Sequence, residues 1–130
     1  MEDMTPDTDR VELVIPASAE YVVLARLTAT GIASRIGMSY DDIEDLRVIA
    51  AEVCRLLIGD DNHATGTVTI AYSVNGTSLQ IEAVGHTSPP APEPADDDLS
   101  VLLLSALAEE LDVVMHNGER RVRVVKRLSS

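Results

Sequence analysis

Aromatic residues and cysteines are almost missing from this chain of 130 residues. It contains three Tyr, no Phe and no Trp. Its core therefore has to be built from aliphatic side chains, and it offers no aromatic platform on which nucleobases could stack. The single cysteine, Cys54, excludes an internal disulfide and a metal site built from several cysteines. We expect Cys54 to be a buried, inert thiol.

Basic residues are also few, because 10 Lys and Arg stand against 22 Asp and Glu, which gives a net charge of −12. Phosphate contacts need clustered Lys and Arg, so direct binding to nucleic acid is disfavoured. An acidic surface suits a basic protein partner, although acidic proteins are also often just soluble.

Long apolar runs and targeting signals are absent from the sequence as well. No apolar run approaches the ~20 residues that cross a bilayer, and residues 1–10 are acidic and polar, unlike a signal peptide. We therefore expect a cytoplasmic protein that does not bind membranes. The acidic and polar composition of residues 1–10 predicts a flexible tail, and the length of the chain predicts one domain over residues 11–130.

The first part of the domain has the pattern of one strand and two helices. Alternation predicts a strand over residues 11–15, and Pro16 ends it. A helix is predicted over residues 17–36, with Gly37 as its stop. The side chains expected to face inward from this helix are Val23, Leu27, Ala33 and Ile36.

The second helix is predicted over residues 40–58, behind a capping pattern in which Ser39 precedes Asp42 by three residues. Apolar residues recur along it at steps of three and four, which is typical of one buried stripe. The members of that stripe are Ile43, Leu46, Ala50, Val53 and Leu57.

Two hairpins and a third helix complete the order. Alternating residues flank Asn75-Gly76 and again Asn117-Gly118, which is a strong hairpin signal. Between them, residues 85–94 contain four prolines and are predicted to form a loop or lid. Residues 96–98 are three aspartates, interpreted as caps of a helix over residues 99–111 in preference to a metal site. The order β-α-α-β-β-α-β-β predicts an α/β two-layer sandwich, with three helices on one face of a mostly antiparallel sheet.

This order, with a long loop before the third helix, resembles the histidine-kinase-like ATPase fold, and within it the anti-sigma-factor serine kinases. The resemblance spans nearly the whole chain. It is carried by A-x-x-E-Y-V-V-L-A-R in the first helix, by D-D-I-E-D-L-R-V-I-A-A-E-V in the second, and by L-x-x-L-A-E-E-L-D-V-V followed by N-G and R-V-R-V-V-K-R-L.

The resemblance implies a Mg-ATP site whose positions can be compared with this chain. The family has a catalytic Glu, which corresponds to Glu52, and four residues later a magnesium-binding Asn, which corresponds to Leu56. The adenine-binding Asp falls on Gly85, and the glycine after it falls on Thr87. The glycine-rich lid reads D-D-D-L-S-V-L-L-L here. We therefore expect no bound cofactor, and ATP with magnesium only through a divergent binding mode.

The resemblance also implies protein partners. Family members regulate stress and sporulation sigma factors in bacteria, dock partners through the first helix, and usually form homodimers. Leu24-Ala25-Arg26 matches the family's contact position, so Arg26 is the first candidate for partner binding, with Glu20 and Arg35 as weaker candidates. The expected partners are a sigma factor, an anti-anti-sigma protein of the STAS type, or both.

Three functions remain open from the sequence. The first is a partner-binding anti-sigma regulator with a degenerate nucleotide pocket. The second is an active serine kinase that phosphorylates an anti-anti-sigma protein. It depends on Glu52, which can also be interpreted as an acidic residue on the solvent side of its helix. The third is a sensor for another small ligand, and the histidines do not support it because their spacing matches no metal site. His63 and His116 are expected in or beside turns, and His86 in the proline-rich loop.

Overall fold

A computed structural model describes residues 8–59, 65–88, 90–91, 93–95 and 97–128 of the chain. Within them, five antiparallel strands form one sheet in the order β1-β2-β3-β5-β4. The elements are β1 (Thr8–Pro16), α1 (Val22–Arg35), α2 (Tyr40–Ile58), β2 (Thr65–Asn75), β3 (Ser78–Ser88), α3 (Leu99–Leu107), β4 (Glu110–His116) and β5 (Glu119–Arg127). This confirms the predicted order of elements and the α/β class.

The bounds of α2 and the turn at Asn117-Gly118 are as predicted. The first turn is Gly76-Thr77, one residue later than the predicted Asn75-Gly76, because Asn75 pairs with Ser78 at the end of β2. Gly76 opens the two-residue turn between β2 and β3 with a φ of +61°, and Asn117 and Gly118 both have positive φ in the turn between β4 and β5. These are backbone conformations that Gly and Asn adopt most readily. The two turns therefore fix the register of β2 with β3 and of β4 with β5.

Some element bounds differ from the prediction. β1 begins at Thr8 because residues 8–10 pair with the end of β2, so this part of the predicted tail lies in a strand. Residues 1–7 lie outside the described residues. Residues 85–88, predicted as loop, continue β3 because they pair with the first residues of β2. Similarly, α3 ends at Leu107, and residues 110–112 pair with β5 as the start of β4.

The core lies between one face of the sheet and the helices. Leu46, Val53 and Leu57 of α2 are buried against sheet residues such as Ile70 and Ile81. Ala50 is also buried, whereas Ile43 is only partly buried, so the predicted stripe is confirmed for four of its five members. No helix among the described residues is long and apolar enough to cross a membrane.

The buried face of α1 differs from the predicted one. Ala25, Ala29 and Ala33, spaced by four, are fully buried against the core, whereas Val23 and Leu27 are 42% and 61% exposed. Of the four predicted inward residues only Ala33 is buried, and Ile36 is partly buried. Methyl side chains let a helix pack closely on its neighbour, so the alanines form the contact and the larger residues remain outside.

Candidate functional site

Two adjoining cavities lie where α2 ends, close to the end of β3, the start of β5 and the segment before α3. Their volumes are about 160 and 240 Å³, and Ala91 and Arg120 line both. Ligand pockets usually span about 300–1,000 Å³. Each cavity is therefore small for a drug-sized ligand, and Arg120 lies between them.

Glu52 is directed toward α3 and is largely withdrawn from water. Its side chain is 12% exposed, and its Oε1 accepts a hydrogen bond of 2.6 Å from Ser100 Oγ. The Nε of Arg55 lies 3.3 Å from the same oxygen. The interpretation of Glu52 as a solvent-side residue is therefore wrong. α3 covers this side of α2, which the single apolar stripe of α2 did not indicate.

Leu56 lies one turn after Glu52 on the wall of the smaller cavity and is buried. Its side chain has no lone pair to offer a cation. The Nη1 of Arg120 donates a hydrogen bond of 3.2 Å to the Leu56 carbonyl oxygen, which is in the last turn of α2. Arg120 thus caps carbonyl groups that a helix terminus leaves without intrahelical donors.

Arg120 is a buried cation on β5. Burial lowers the pKa of its guanidinium, and the carboxylate of Glu93 acts in the opposite direction. The guanidinium remains charged at neutral pH because its ordinary pKa is so high. Sequence reasoning missed this residue, since an arginine in a charged strand gives no sign of burial and its partner carbonyl is 64 positions away.

Gly85 and Thr87 lie near the end of β3 and line the larger cavity. A Cβ on Gly85 would meet the Leu57 side chain at 3.5 Å, an ordinary contact distance. The nearby polar pair is His86 and Glu119, joined by a short hydrogen bond through His86 Nδ1. His86 lies in β3, where it pairs with Thr67, and not in the predicted loop. His116 is an exposed residue at the end of β4, and His63 lies outside the described residues.

The last aspartate of the run before α3, Asp98, caps the helix, which confirms the predicted role for that residue. Asp98 Oδ1 accepts hydrogen bonds from the backbone N–H groups of Ser100, at 2.8 Å, and Val101, at 3.4 Å. Asp97 is exposed, and Asp96 lies outside the described residues. Across the part of the chain that is described, no three His, Cys, Asp or Glu residues are grouped to hold a metal ion. The Leu56 side chain, on the wall of the smaller cavity, has no oxygen ligand to offer, and the cationic Arg120 beside it disfavours a second cation, so this donor set does not fit a magnesium ion.

The candidate partner-binding residues are spread along α1. Arg26 is half-buried in the second turn, and its positive charge acts on the buried thiol of Cys54, whose pKa burial raises to about 12. Glu20 is exposed in the 3-10 turn Ala19–Tyr21 that precedes the helix. Arg35 lies about 14 Å further along the axis and pairs with Asp9 of β1 at 3.4 Å. Arg26 and Arg35 therefore do not form one cluster.

A buried ionic cluster was also missed at the sequence level. Ser39 Oγ accepts from the Asp42 N–H at 3.1 Å, which confirms the predicted cap. The Asp42 carboxylate, however, lies 3.8 Å from the Nζ of Lys126 on β5. Their separation of 84 positions leaves no local signal from which sequence reasoning could have found the pair.

An antiparallel sheet with three helices on one face, and a lid segment leading into the third helix beside α2, defines the class of histidine-kinase-like ATPase domains. The Histidine kinase-like ATPase domain family matches residues 15–126. Among similar curated proteins, Serine-protein kinase RsbW of Bacillus licheniformis is 33% identical over 85% of this chain and 81% of the relative. The chain belongs to the RsbW-type branch of the histidine-kinase-like ATPase family.

Other relatives match over shorter stretches. Serine-protein kinase RsbW of Bacillus cereus is 38% identical over 60% of this chain, and the chain covers 49% of that relative, about half its length. A crystal structure of the RsbU and RsbW domains of a Mycobacterium tuberculosis protein has a TM-score of 0.73 at 14% identity. It covers 94% of this chain and 33% of that one. This structural likeness concerns the fold and confirms the predicted fold class.

Proposed function

We propose that this protein is an anti-sigma-type regulator that acts by binding a protein partner, and that its nucleotide pocket does not support phosphoryl transfer. The proposal rests first on membership of the RsbW-type branch. The observation that carries its second half is the pair of residues in the pocket, where Leu56 offers only an apolar side chain and Arg120 binds its carbonyl oxygen.

The chemistry of phosphoryl transfer supports this conclusion. The reaction needs hard oxygen ligands for magnesium and donors for the transferred phosphoryl group. At the lid, the Asp98 carboxylate already accepts two backbone hydrogen bonds and would repel a triphosphate. The two arginines of the smaller cavity already have protein partners, since Arg55 lies beside Glu52 and Arg120 donates to the Leu56 carbonyl oxygen. Glu52 is engaged by Ser100 and Arg55 and is not directed at open solvent.

The surface of α1 supports the partner-binding half. Val23, Leu24 and Leu27 are all exposed, and Arg26 lies among them. Exposed apolar side chains grouped around an arginine are typical of protein interfaces. We propose a sigma factor or a STAS-type anti-anti-sigma protein as the partner, since the net charge of −12 favours a basic surface. A cytoplasmic homodimer is the form in which we propose that it acts.

The nucleotide half is tested by thermal unfolding with and without Mg-ATP, together with transfer of labelled phosphate to an anti-anti-sigma protein. If a site exists, Mg-ATP at a concentration of 100 times its Kd would stabilise the fold by about 2.7 kcal/mol. We expect no shift and no transfer. Transfer of label would establish the active serine kinase instead.

The partner half is tested by capture of sigma factors on the purified full chain, with Arg26→Glu compared with Arg47→Glu. Arg47 is an exposed arginine on α2, paired with Glu44 at 3.4 Å. Charge reversal at Arg26 is expected to weaken capture at least tenfold, as for an interface arginine, whereas reversal at Arg47 is not. Equal affinity of the Arg26→Glu variant and the parent would remove Arg26 from the interface.

A further inference from the structure

The first turn of α3 is held from two sides by carboxylates. Asp98 caps its backbone N–H groups, and Glu52 of α2 accepts the hydroxyl hydrogen of Ser100 at 2.6 Å. Ser100 and Glu52 are both buried. A hydrogen bond to an ionised group is stronger than a neutral one, and more so where water is excluded. This contact therefore joins α2 and α3 directly.

Two arginines complete the arrangement. Arg55 lies 3.3 Å from the Glu52 oxygen that accepts from Ser100, so the carboxylate has a cation beside it. Arg120 ties the start of β5 to the last turn of α2 through the Leu56 carbonyl oxygen. The end of α2, the start of α3 and the start of β5 are thus joined by side chains of the protein itself.

We infer that Ser100 and Glu52 form a latch that fixes the lid helix α3 on α2 without a bound nucleotide. The inference deepens the proposed function, since it concerns the regulation of the same site. The position of α3 is then set by residues of this chain and not by occupancy of the pocket. Glu52 is a positioning residue for α3 in this arrangement.

Amide hydrogen exchange on the full chain tests the latch. Loss of the Ser100 hydroxyl in Ser100→Ala is expected to speed exchange of the α3 amides of residues 102–107 about 10- to 100-fold, the effect of losing a hydrogen bond to a charged group. Ser105→Ala is the matched control, because Ser105 is an exposed serine on the same helix. In the Ser105→Ala variant the α3 amides are expected to exchange at a rate within about twofold of the parent's, because Ser and Ala differ little in helix propensity.

Exchange in Ser100→Ala that equals the parent, or an equal rise in both serine variants, would overturn the latch. Should Ser100→Ala fail to fold, Glu52→Gln provides the second measurement, since it keeps the acceptor and removes the charge. It is expected to speed α3 exchange relative to the parent, and exchange at the parent's rate would overturn the latch. Mg-ATP is the added probe: protection of α3 by it in the parent would also overturn the inference. The readout needs no partner, so loss of sigma-factor binding would contradict only the proposed function.

Discussion

The ammonium group of Lys126 lies 3.8 Å from the carboxylate of Asp42, and the two side chains are only 8% and 2% exposed. Lys126 also donates to Asp45 Oδ2 and to the carbonyl oxygen of Leu107, each at 3.1 Å. One lysine on β5 therefore contacts the start of α2 and the end of α3. Together with Arg120 on the same strand, it holds both helices on the sheet.

Replacing Lys126 by methionine is expected to lower the free energy of unfolding by about 3 kcal/mol, because it removes the buried ammonium beside Asp42 together with its bonds to Asp45 and to the Leu107 carbonyl oxygen. Urea unfolding monitored by circular dichroism measures this. Arg127→Met is the control, since Arg127 is the exposed neighbour and pairs with Glu110 at the surface. Its effect is expected to stay below about 1 kcal/mol. Equal effects of the two substitutions would show that the buried contacts of Lys126 stabilise the fold no more than a surface ion pair does.

The hydroxyl group of Tyr72 donates to the Ala25 carbonyl oxygen at 2.9 Å and links β2 to α1. Tyr72→Phe keeps the ring and removes this buried hydrogen bond, which is expected to cost about 1 kcal/mol. Tyr40→Phe serves as the control because Tyr40 is exposed at the start of α2. Denaturant midpoints that are identical for both variants would contradict the assigned role of the hydroxyl.

Gly31 lies within α1, and no atom would stand within 4 Å of a Cβ placed on it. Gly31→Ala is therefore expected to stabilise the isolated protein by about 0.5–1 kcal/mol, by lowering the entropy of the unfolded chain. Gly37→Ala should have the opposite sign, since Gly37 has a φ of +82° after the helix. Thermal unfolding of the two variants side by side measures both effects. A loss of stability in Gly31→Ala would show that this turn of α1 is not free to accept a methyl group.

Burial raises the pKa of the Cys54 thiol to about 12 from the ordinary value of 9.0, which we take for the unfolded chain. The folded state thus holds the proton more tightly, so this stabilisation is complete below pH 9 and is lost as the pH rises toward 12. We expect the free energy of unfolding to decline by roughly 1 kcal/mol per pH unit in that window.

Urea midpoints between pH 9 and 10 measure this decline for the parent and for Cys54→Ala. The midpoint of the Cys54→Ala variant is expected to decline less steeply. Parallel curves would contradict the assignment. Above pH 10 the free energy of unfolding falls further, because burial also raises the pKa of the Tyr72 hydroxyl.

Much of the fold could be predicted because its signals are local. The bounds of α2 follow from a cap at Ser39 and a clear apolar period, and the two hairpins follow from the Asn-Gly pairs at or beside their turns. The face of α1 could not be predicted in the same way. Val23 and Leu27 are more hydrophobic than the alanines, but the alanines are buried because they fit between closely packed elements. The size of the side chains determines which face of α1 packs on the core. A pattern of hydrophobic and polar residues does not indicate how well side chains of different size fit together.

The candidate site was predicted in part. The positions of Glu52 and Leu56 followed from the family resemblance, and the structure brings both to the region beside α3. The roles of Ser100, Arg120 and Lys126 depend on partners 48, 64 and 81 to 84 positions away. Polar residues of these types are usually exposed. Only the folded arrangement shows that they are buried and bonded.

The alanine face of α1 has a consequence for the protein in solution. Because the alanines occupy the face of α1 that packs on the core, Val23, Leu24 and Leu27 face water on a molecule whose net charge is −12. We expect the repulsion between acidic molecules to oppose contact between these apolar surfaces, and salt shortens the range of that repulsion to about 8 Å at 0.15 M. The unbound protein should remain dispersed in dilute buffer at neutral pH. It should cluster as the ionic strength rises or as the pH approaches its isoelectric point near 4.4.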